Sequence, residues 1–187
     1  MIKTRRMYFD GGTGSVLQNA GLPAGTPPEE WNFSHPEKIL ELHLSYLRAG
    51  ADIIKTNTFG VNSEKYENYE EYISLALGLA RCAVDIYEGE SGKKKFIAFD
   101  IGPLGRMLKP LGNLDFEDAV TIFSETVKIG VESGVDLIFI ETMNDSYETK
   151  AALLAAKENS TLPVLVSNAY GEDGKLMTGA TPAALVA

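Results

Sequence analysis

The chain has 187 residues, 44% hydrophobic and 23% charged, with a mean hydropathy near zero, proportions that exclude a disordered polypeptide. Seventeen basic residues against 26 acidic ones leave a formal charge of −9, a poor surface for gripping phosphate backbones, so no nucleic acid partner is expected. No run reaches the ~18 uninterrupted apolar residues of a membrane span, and one cysteine, Cys82, excludes a disulfide framework or an all-cysteine metal site built from this chain alone.

The first six residues are basic but run into Met7-Tyr8-Phe9-Asp10 without a long apolar core. They are not expected to act as a signal peptide, and a cytoplasmic setting is expected. Met7-Tyr8-Phe9 is the first of five short β-rich runs. The others are Asp52-Ile53-Ile54-Lys55-Thr56, Phe96-Ile97-Ala98-Phe99, Asp136-Leu137-Ile138-Phe139-Ile140 and Pro163-Val164-Leu165-Val166-Ser167. They are nearly continuous rather than alternating, as in strands buried on both faces of a parallel sheet. After the first run comes Asp10-Gly11-Gly12-Thr13-Gly14-Ser15-Val16-Leu17. The third glycine of a dinucleotide fingerprint is replaced by Leu17. What remains is a tight strand-to-helix turn whose free amides suit a small anion.

Ser34-His35-Pro36-Glu37 has the form of a capping box, with Ile39, Leu40, His43, Tyr46 and Leu47 on one face and Gly50 closing the helix. His35 then belongs to a cap region, and His43 reads as a core histidine with its hydrogen bonds satisfied. Residues 71–87 form a longer helical stretch, in which Cys82 reads as a small buried hydrophobe. Asp115 with Asp118 opens a helix through Ala119, Ile122, Phe123, Thr126 and Val127 that Gly134 ends. Asp145 with Glu148 opens another through Ala151, Leu154 and Ala155, and Thr181-Pro182 begins a last one.

Strand followed by helix, repeated, predicts an α/β fold with parallel strands. Each run ends in a polar side chain: Asp10, Asn57, Asp100, Glu141 and Asn168. Such residues cap helices, but ligand sites of parallel α/β folds lie beyond the carboxyl ends of the strands, and five polar ends together favour a site. A closed eight-unit barrel takes ~250 residues. The same alternation builds an open doubly wound sheet; five units fall short of a closed barrel, and a piece that does not close leaves unpaired edges and exposed apolar surface that favour self-association.

The strings Phe9-Asp10-Gly11-Gly12-Thr13-Gly14 and Ala49-Gly50-Ala51-Asp52-Ile53-Ile54-Lys55-Thr56-Asn57-Thr58-Phe59-Gly60 resemble landmarks of the homocysteine S-methyltransferase family. So do Asp100-Ile101-Gly102-Pro103, Ile140-Glu141-Thr142-Met143 and Leu176-Met177-Thr178-Gly179, in the family's order. Among members, the match looks closest to the amino-terminal homocysteine-binding module of cobalamin-dependent methionine synthase. The resemblance implies a TIM (β/α)8 barrel, of which residues 1–187 supply the first five β-α units of a homocysteine-binding domain. It implies transfer of a methyl group to the zinc-activated thiolate of homocysteine, giving methionine, with cobalamin and methyltetrahydrofolate handled by other domains or a partner protein.

Zinc in that family is held by three cysteine thiolates, after the sixth strand and at the eighth. No residue here stands at those positions, Cys82 included, so the chain is expected to hold no metal and to be inactive alone. By the family pattern, Asp10 and Glu141 are the carboxylates near the substrate's ammonium group, a task that suits charge-assisted acceptors. The amides of Gly11, Gly12 and Thr13 would receive the substrate's carboxylate, aided by the following helix dipole. The family pattern assigns no individual role to Asn57, Thr58, Asp100 or Asn168. Two other readings stand beside this one: a Schiff-base aldolase-like barrel using Lys55 near the end of the second run, and a non-catalytic truncated module.

Overall fold

The computed structural model describes residues 6–186; the basic opening at residues 1–5 and Ala187 lie outside the described residues. In chain order the elements are α1 (Thr13–Asn19), a 3-10 turn (Pro28–Glu30) running into α2 (Trp31–Ser34), α3 (Pro36–Ala49) and β1 (Ile53–Lys55). There follow α4 (Tyr69–Ser91), β2 (Phe96–Ile101), α5 (Phe116–Glu132), β3 (Leu137–Met143), α6 (Ser146–Asn159), β4 (Val164–Asn168) and α7 (Pro182–Val186). The strands lie side by side in the order β1-β2-β3-β4, every pair parallel. Each neighbouring pair is joined through a helix, as parallel strands require.

Both faces of the sheet are apolar, which is why the runs do not alternate. On one face Ile54, Ile97, Phe99, Ile138 and Ile140 pack against the helices through Ile73, Leu77, Phe123, Val127 and Ala155. On the other, Ile53, Phe96, Ala98 and Leu137 are buried together, with Met7, Phe9, Phe139 and Leu165 partly covered around them.

The first expected strand is reduced to one parallel bridge, Phe9 to Ile53, so the regular sheet among the described residues has four strands. Backbone bonds tie the run to β1: Asp52 N and Ile53 N donate to Tyr8 O (2.8 and 3.1 Å), and Asp10 N donates to Ile53 O (3.0 Å). The ladder stops there because the next donor, Lys55 N, goes to the Asp10 carboxylate (2.8 Å) instead of to a backbone carbonyl.

The helix ends follow the sequence in part. Asp145 caps α6 by accepting from Tyr147 N (2.8 Å). Gly50 (φ 109°) and Gly134 (φ 81°) take the left-handed conformation after α3 and α5, and Pro182 is the first residue of α7. The capping box does not form. His35, the N-cap of α3, makes no side-chain cap bond, and Ser34 is the last residue of α2, where its hydroxyl donates back to Glu30 O (3.0 Å). His35 instead stacks against Trp31, ring centroids 4.7 Å apart. Glu148 is likewise diverted, accepting from Leu104 N (2.7 Å) in the loop after β2.

Two further expectations are corrected. Cys82 is exposed, because the buried stripe of α4 runs through Tyr72, Ile73, Ala76, Leu77, Ala80, Ala83 and Val84 and leaves position 82 outside. His43 is buried as expected, but neither ring nitrogen has a hydrogen-bond partner. Burial lowers its pKa to about 4, so it packs as a neutral ring.

Gly130 shows how closely helix and sheet are fitted. A Cβ there would stand 2.4 Å from Cδ1 of Phe99, a fully buried ring of β2. Gly130→Ala gains about 1 kcal/mol of helix propensity, but forcing a methyl into a filled core costs about 1–3 kcal/mol or more. The clash wins, and urea denaturation is expected to show a net loss of about 1–2 kcal/mol. An unchanged or higher midpoint would mean α5 stands off β2.

Candidate functional site

Strand register decides which polar side chains meet. Lys55 pairs with Ala98 across β1 and β2, and Asp100 pairs with Phe139 across β2 and β3. Since side chains alternate along a strand, Lys55, Asp100 and Glu141 stand on the face whose lower rungs are Ile53, Phe96 and Ala98, and Leu137 and Phe139. They are the polar top of an apolar wall. Asp10 joins them from the turn after the Phe9 bridge. Beyond these residues lies a cavity of about 610 Å³, whose lining includes Gly12, Thr13, Lys55, Asn57, Asp100 and Glu141.

At its centre Lys55 Nζ meets Glu141 Oε1 at 2.6 Å, with both side chains largely buried, and the ammonium lies 5.9 Å from the centroid of the Phe139 ring. Asp10 Oδ2 takes the Lys55 amide, whereas Asp10 Oδ1 is buried without a partner. Asp100 is only 4% exposed, and its Oδ1 is also buried without a partner. Glu141 is aimed by an irregularity: β3 slips register against β4 between Ile140 and Met143, and Thr142 has φ 56°. A bulge of this kind re-aims the neighbouring side chain. Thr142 N is held by Ser167 Oγ (3.0 Å).

Three carboxyl groups thus share one lysine over an apolar floor. Burial raises the Asp10 pKa from 3.8 to about 6, against the lowering pull of the Lys55 amide hydrogen bond and ammonium charge and with a smaller push from Glu141. Burial and the adjoining Glu141 carboxylate raise Asp100 well above the usual carboxylate range. For Lys55 burial alone favours the neutral amine, but the Glu141 hydrogen bond and the charges of Asp100, Glu141 and Asp10 outweigh it and raise its pKa. Lys55 is a held cation.

The remaining polar residues build the rim. Thr56 Oγ1 accepts from Asp100 N (3.0 Å) and lies 2.6 Å from Thr58 Oγ1, which donates to Asp100 O (2.7 Å). Asn57 donates to Pro28 O and to Asn32 Oδ1, and Asn32 returns a bond to Asn57 O, each at 2.9 Å. Glu29 accepts from Gly60 N (2.5 Å). Gly11 lies under Tyr46, whose Oη would sit 2.8 Å from an added Cβ and which donates to Gly12 O (2.9 Å). Asn168 turns aside to Thr149 Oγ1 (3.0 Å) and takes no part in the cluster.

Of the residues singled out from sequence, Asp10 and Glu141 converge on Lys55, while Gly12 and Thr13 line the cavity and Gly11 packs behind it. Sequence reasoning gives Asp100 no individual role and does not pair Lys55 with Glu141. The usable signal is the placing of charged residues inside runs buried on both faces, where each needs a partner. Among the described residues no group of three or more His, Cys, Asp and Glu side chains is disposed to hold a metal ion.

Comparison with known proteins agrees with this architecture. The crystal structure of the metallated form of the homocysteine methyltransferase MmuM from Escherichia coli superposes with a TM-score of 0.86 at 20% identity, over 98% of this chain and 70% of that one. The oxidized form gives 0.81 at 21% identity over 94% and 66%, and the apo form 0.78 at 22% identity over 96% and 65%. The chain thus spans about two thirds of the length of those structures. At such identities the likeness is one of fold. The family itself comes from sequence: residues 7–187 match the model described as homocysteine S-methyltransferase, and the chain belongs to that family.

Proposed function

We propose that this chain is the amino-acid-holding portion of a homocysteine S-methyltransferase of the methionine synthase type. In this reading the four-strand sheet and the Phe9 bridge are the first five units of a (β/α)8 barrel, and residues 1–187 are one part of the homocysteine-binding domain. The convergence of Asp10 and Glu141 at the carboxyl-end rim is the observation that carries it. The α-ammonium group of homocysteine sits against Asp10 Oδ1 and Glu141, and its carboxylate faces the amides of Gly11, Gly12 and Thr13. The Thr56–Thr58 and Asn32–Asn57 bonds keep that rim rigid, so little ordering is left to the moment of binding.

Zinc, where the family uses it, makes the homocysteine sulfur a thiolate and hence a nucleophile. The described residues do not fit such a centre: Cys82 is exposed on α4, His43 is enclosed in the core, and His35 stacks on Trp31. This chain's contribution is to capture and orient the amino-acid end of the substrate. Activation of sulfur and delivery of the methyl group, by cobalamin fed from methyltetrahydrofolate, then belong to other domains or a partner, and the 187-residue chain alone is inactive. We also propose a cytoplasmic setting and self-association through the sheet edge at β4, where Val166 is 39% exposed. None of the described helices is long and apolar enough to cross a membrane.

Calorimetric titration of the chain with L-homocysteine under reducing conditions tests the reading. Asp10→Asn and Glu141→Gln are each expected to weaken binding about ten- to a hundredfold, the range for losing a charge-assisted bond. Binding should also fall away as pH drops through about 6, where Asp10 takes up a proton. Unaltered affinity in both variants would remove the carboxylates from the site.

The aldolase reading makes a different demand, a neutral amine at Lys55. With that lysine paired to Glu141 and its pKa raised, borohydride reduction in the presence of carbonyl compounds is expected to leave no adduct on Lys55. A trapped adduct would reverse the assignment.

Asp10 also links function to stability. Its folded pKa lies above the unfolded value, so between about pH 4 and 6 the folded state binds more protons and stability falls as pH rises. Asp10→Asn removes that penalty. Relative to the parent chain, the variant should gain on the order of 1–2 kcal/mol between pH 4 and pH 7, measured by urea unfolding; a parallel pair of pH profiles would show that Asp10 is not desolvated.

A further inference from the structure

The charge balance of the cluster is incomplete without a ligand. Three carboxyl groups face one ammonium, and two of their oxygens, Asp10 Oδ1 and Asp100 Oδ1, are buried with no hydrogen-bond partner. Orphaned acceptors of this kind are costly and rare in folded proteins. Asp100 lines the cavity, and its backbone is pinned on both sides by Thr56 and Thr58, so its carboxyl cannot easily leave. The Lys55 ammonium is already committed to Glu141 at 2.6 Å. The buried atoms left without a partner in the cluster are Asp10 Oδ1 and Asp100 Oδ1.

We propose that Asp100 is a third carboxylate of the ammonium seat, its unpartnered Oδ1 receiving an N–H of a primary ammonium ligand beside Asp10 Oδ1 while Lys55 stays on Glu141. This rests on the reading of the site given above and adds a specificity-determining residue to it. A primary ammonium has three N–H donors to share among Asp10, Asp100 and Glu141; an acylated amine has one and no charge. The site therefore selects free α-amino acids over N-acylated ones.

Binding is coupled to a proton. In the free chain burial and the Glu141 carboxylate hold the Asp100 pKa well above the usual carboxylate range, which favours its protonated form. When the ligand ammonium arrives, the Asp100 O–H bond breaks, its proton passes to solvent, and the carboxylate left behind accepts the ammonium N–H. The charged and titratable groups facing this event are Asp10 from the first turn, Lys55 from β1, Glu141 from β3 and Tyr46 from α3. Of these acids Asp10, at about 6, is mostly ionised at pH 7 and contributes little to the release.

The test is titration calorimetry of the full chain at pH 7 with L-homocysteine, L-methionine and N-acetyl-L-methionine, repeated in buffers of different ionisation enthalpy. Uptake of the free amino acids with net proton release, and no measurable binding of the acetylated one, is expected. Asp100→Asn is isosteric with the protonated acid and is expected to fold. It should weaken binding about ten- to a hundredfold and abolish the proton release.

If the variant fails to fold, the proton count on the parent chain still decides, since no release would overturn the proposal. Equal affinity in the parent and Asp100→Asn chains would overturn it while leaving Asp10 and Glu141 in place. Methionine binding that depends on Asp100, with no binding of homocysteine, would uphold the ammonium seat and defeat the homocysteine reading. No binding of either free amino acid would defeat both.

Discussion

A single buried cation holds the functional end of this sheet together. Lys55 rises from a strand whose neighbours are apolar on both faces, and it meets Glu141 from two strands away. Its backbone amide and its side chain serve different acids, Asp10 through the N–H and Glu141 through Nζ. That division ends the ladder between the first run and β1, and it leaves Asp10 beside Lys55 and Glu141 rather than in a continuing strand. Removing one partner from such a buried pair typically costs about 3–5 kcal/mol, because the other charge is left unpaired. The same low-dielectric setting that makes the pair expensive to break keeps the remaining carboxyl oxygens available.

Around that pair, the residues that make the strand-end strings recognisable turn out to be supports. Thr56 and Thr58 fasten the end of β1 to the end of β2 through Asp100's own backbone. Asn57 and Asn32 exchange amide bonds and tie the segment before α3 to the same rim. Gly11 is required by Tyr46 rather than by a ligand, since any side chain there would strike the phenol. Polar side chains at five strand ends therefore divide into two kinds, those that face the cavity and those that hold it open, and position in the strand does not by itself tell them apart.

The sheet is legible in the sequence because its strands are buried on both faces. A continuous apolar run such as residues 137–140, bounded by polar residues and too short for a core helix, reads most simply as such a strand. Helix ends are legible where one residue acts alone, as Asp145 and Gly50 do, and misleading where two elements compete for the same group. Ser34 has the spacing of a cap, but α2 already uses its hydroxyl. Composition places Cys82 inside, although the stripe of α4 puts it outside. In the site, Asp10 and Glu141 emerge through a resemblance of short strings. The tie between Lys55 and Glu141 does not, because strand register across a sequence separation of 86 is not written in either local motif.

The unsatisfied acceptors separate structural from functional burial. His43 also buries polar atoms without partners, but it is a neutral ring deep in the helix layer, where the loss is fixed and offset by packing. Asp100 lines a cavity and Asp10 stands beside it in the same charged cluster, where a ligand can supply what the protein withholds. A carboxylate buried to no purpose would be replaced at little cost by an amide or an apolar residue of the same volume. Two of them beside an occupied third, over an apolar floor and behind a rigid rim, are destabilising until a cation arrives, and the energy so held back is released on binding. An uncharged ligand of the same shape gains none of it, so the site's selectivity for the ammonium form follows from the instability of the empty cluster.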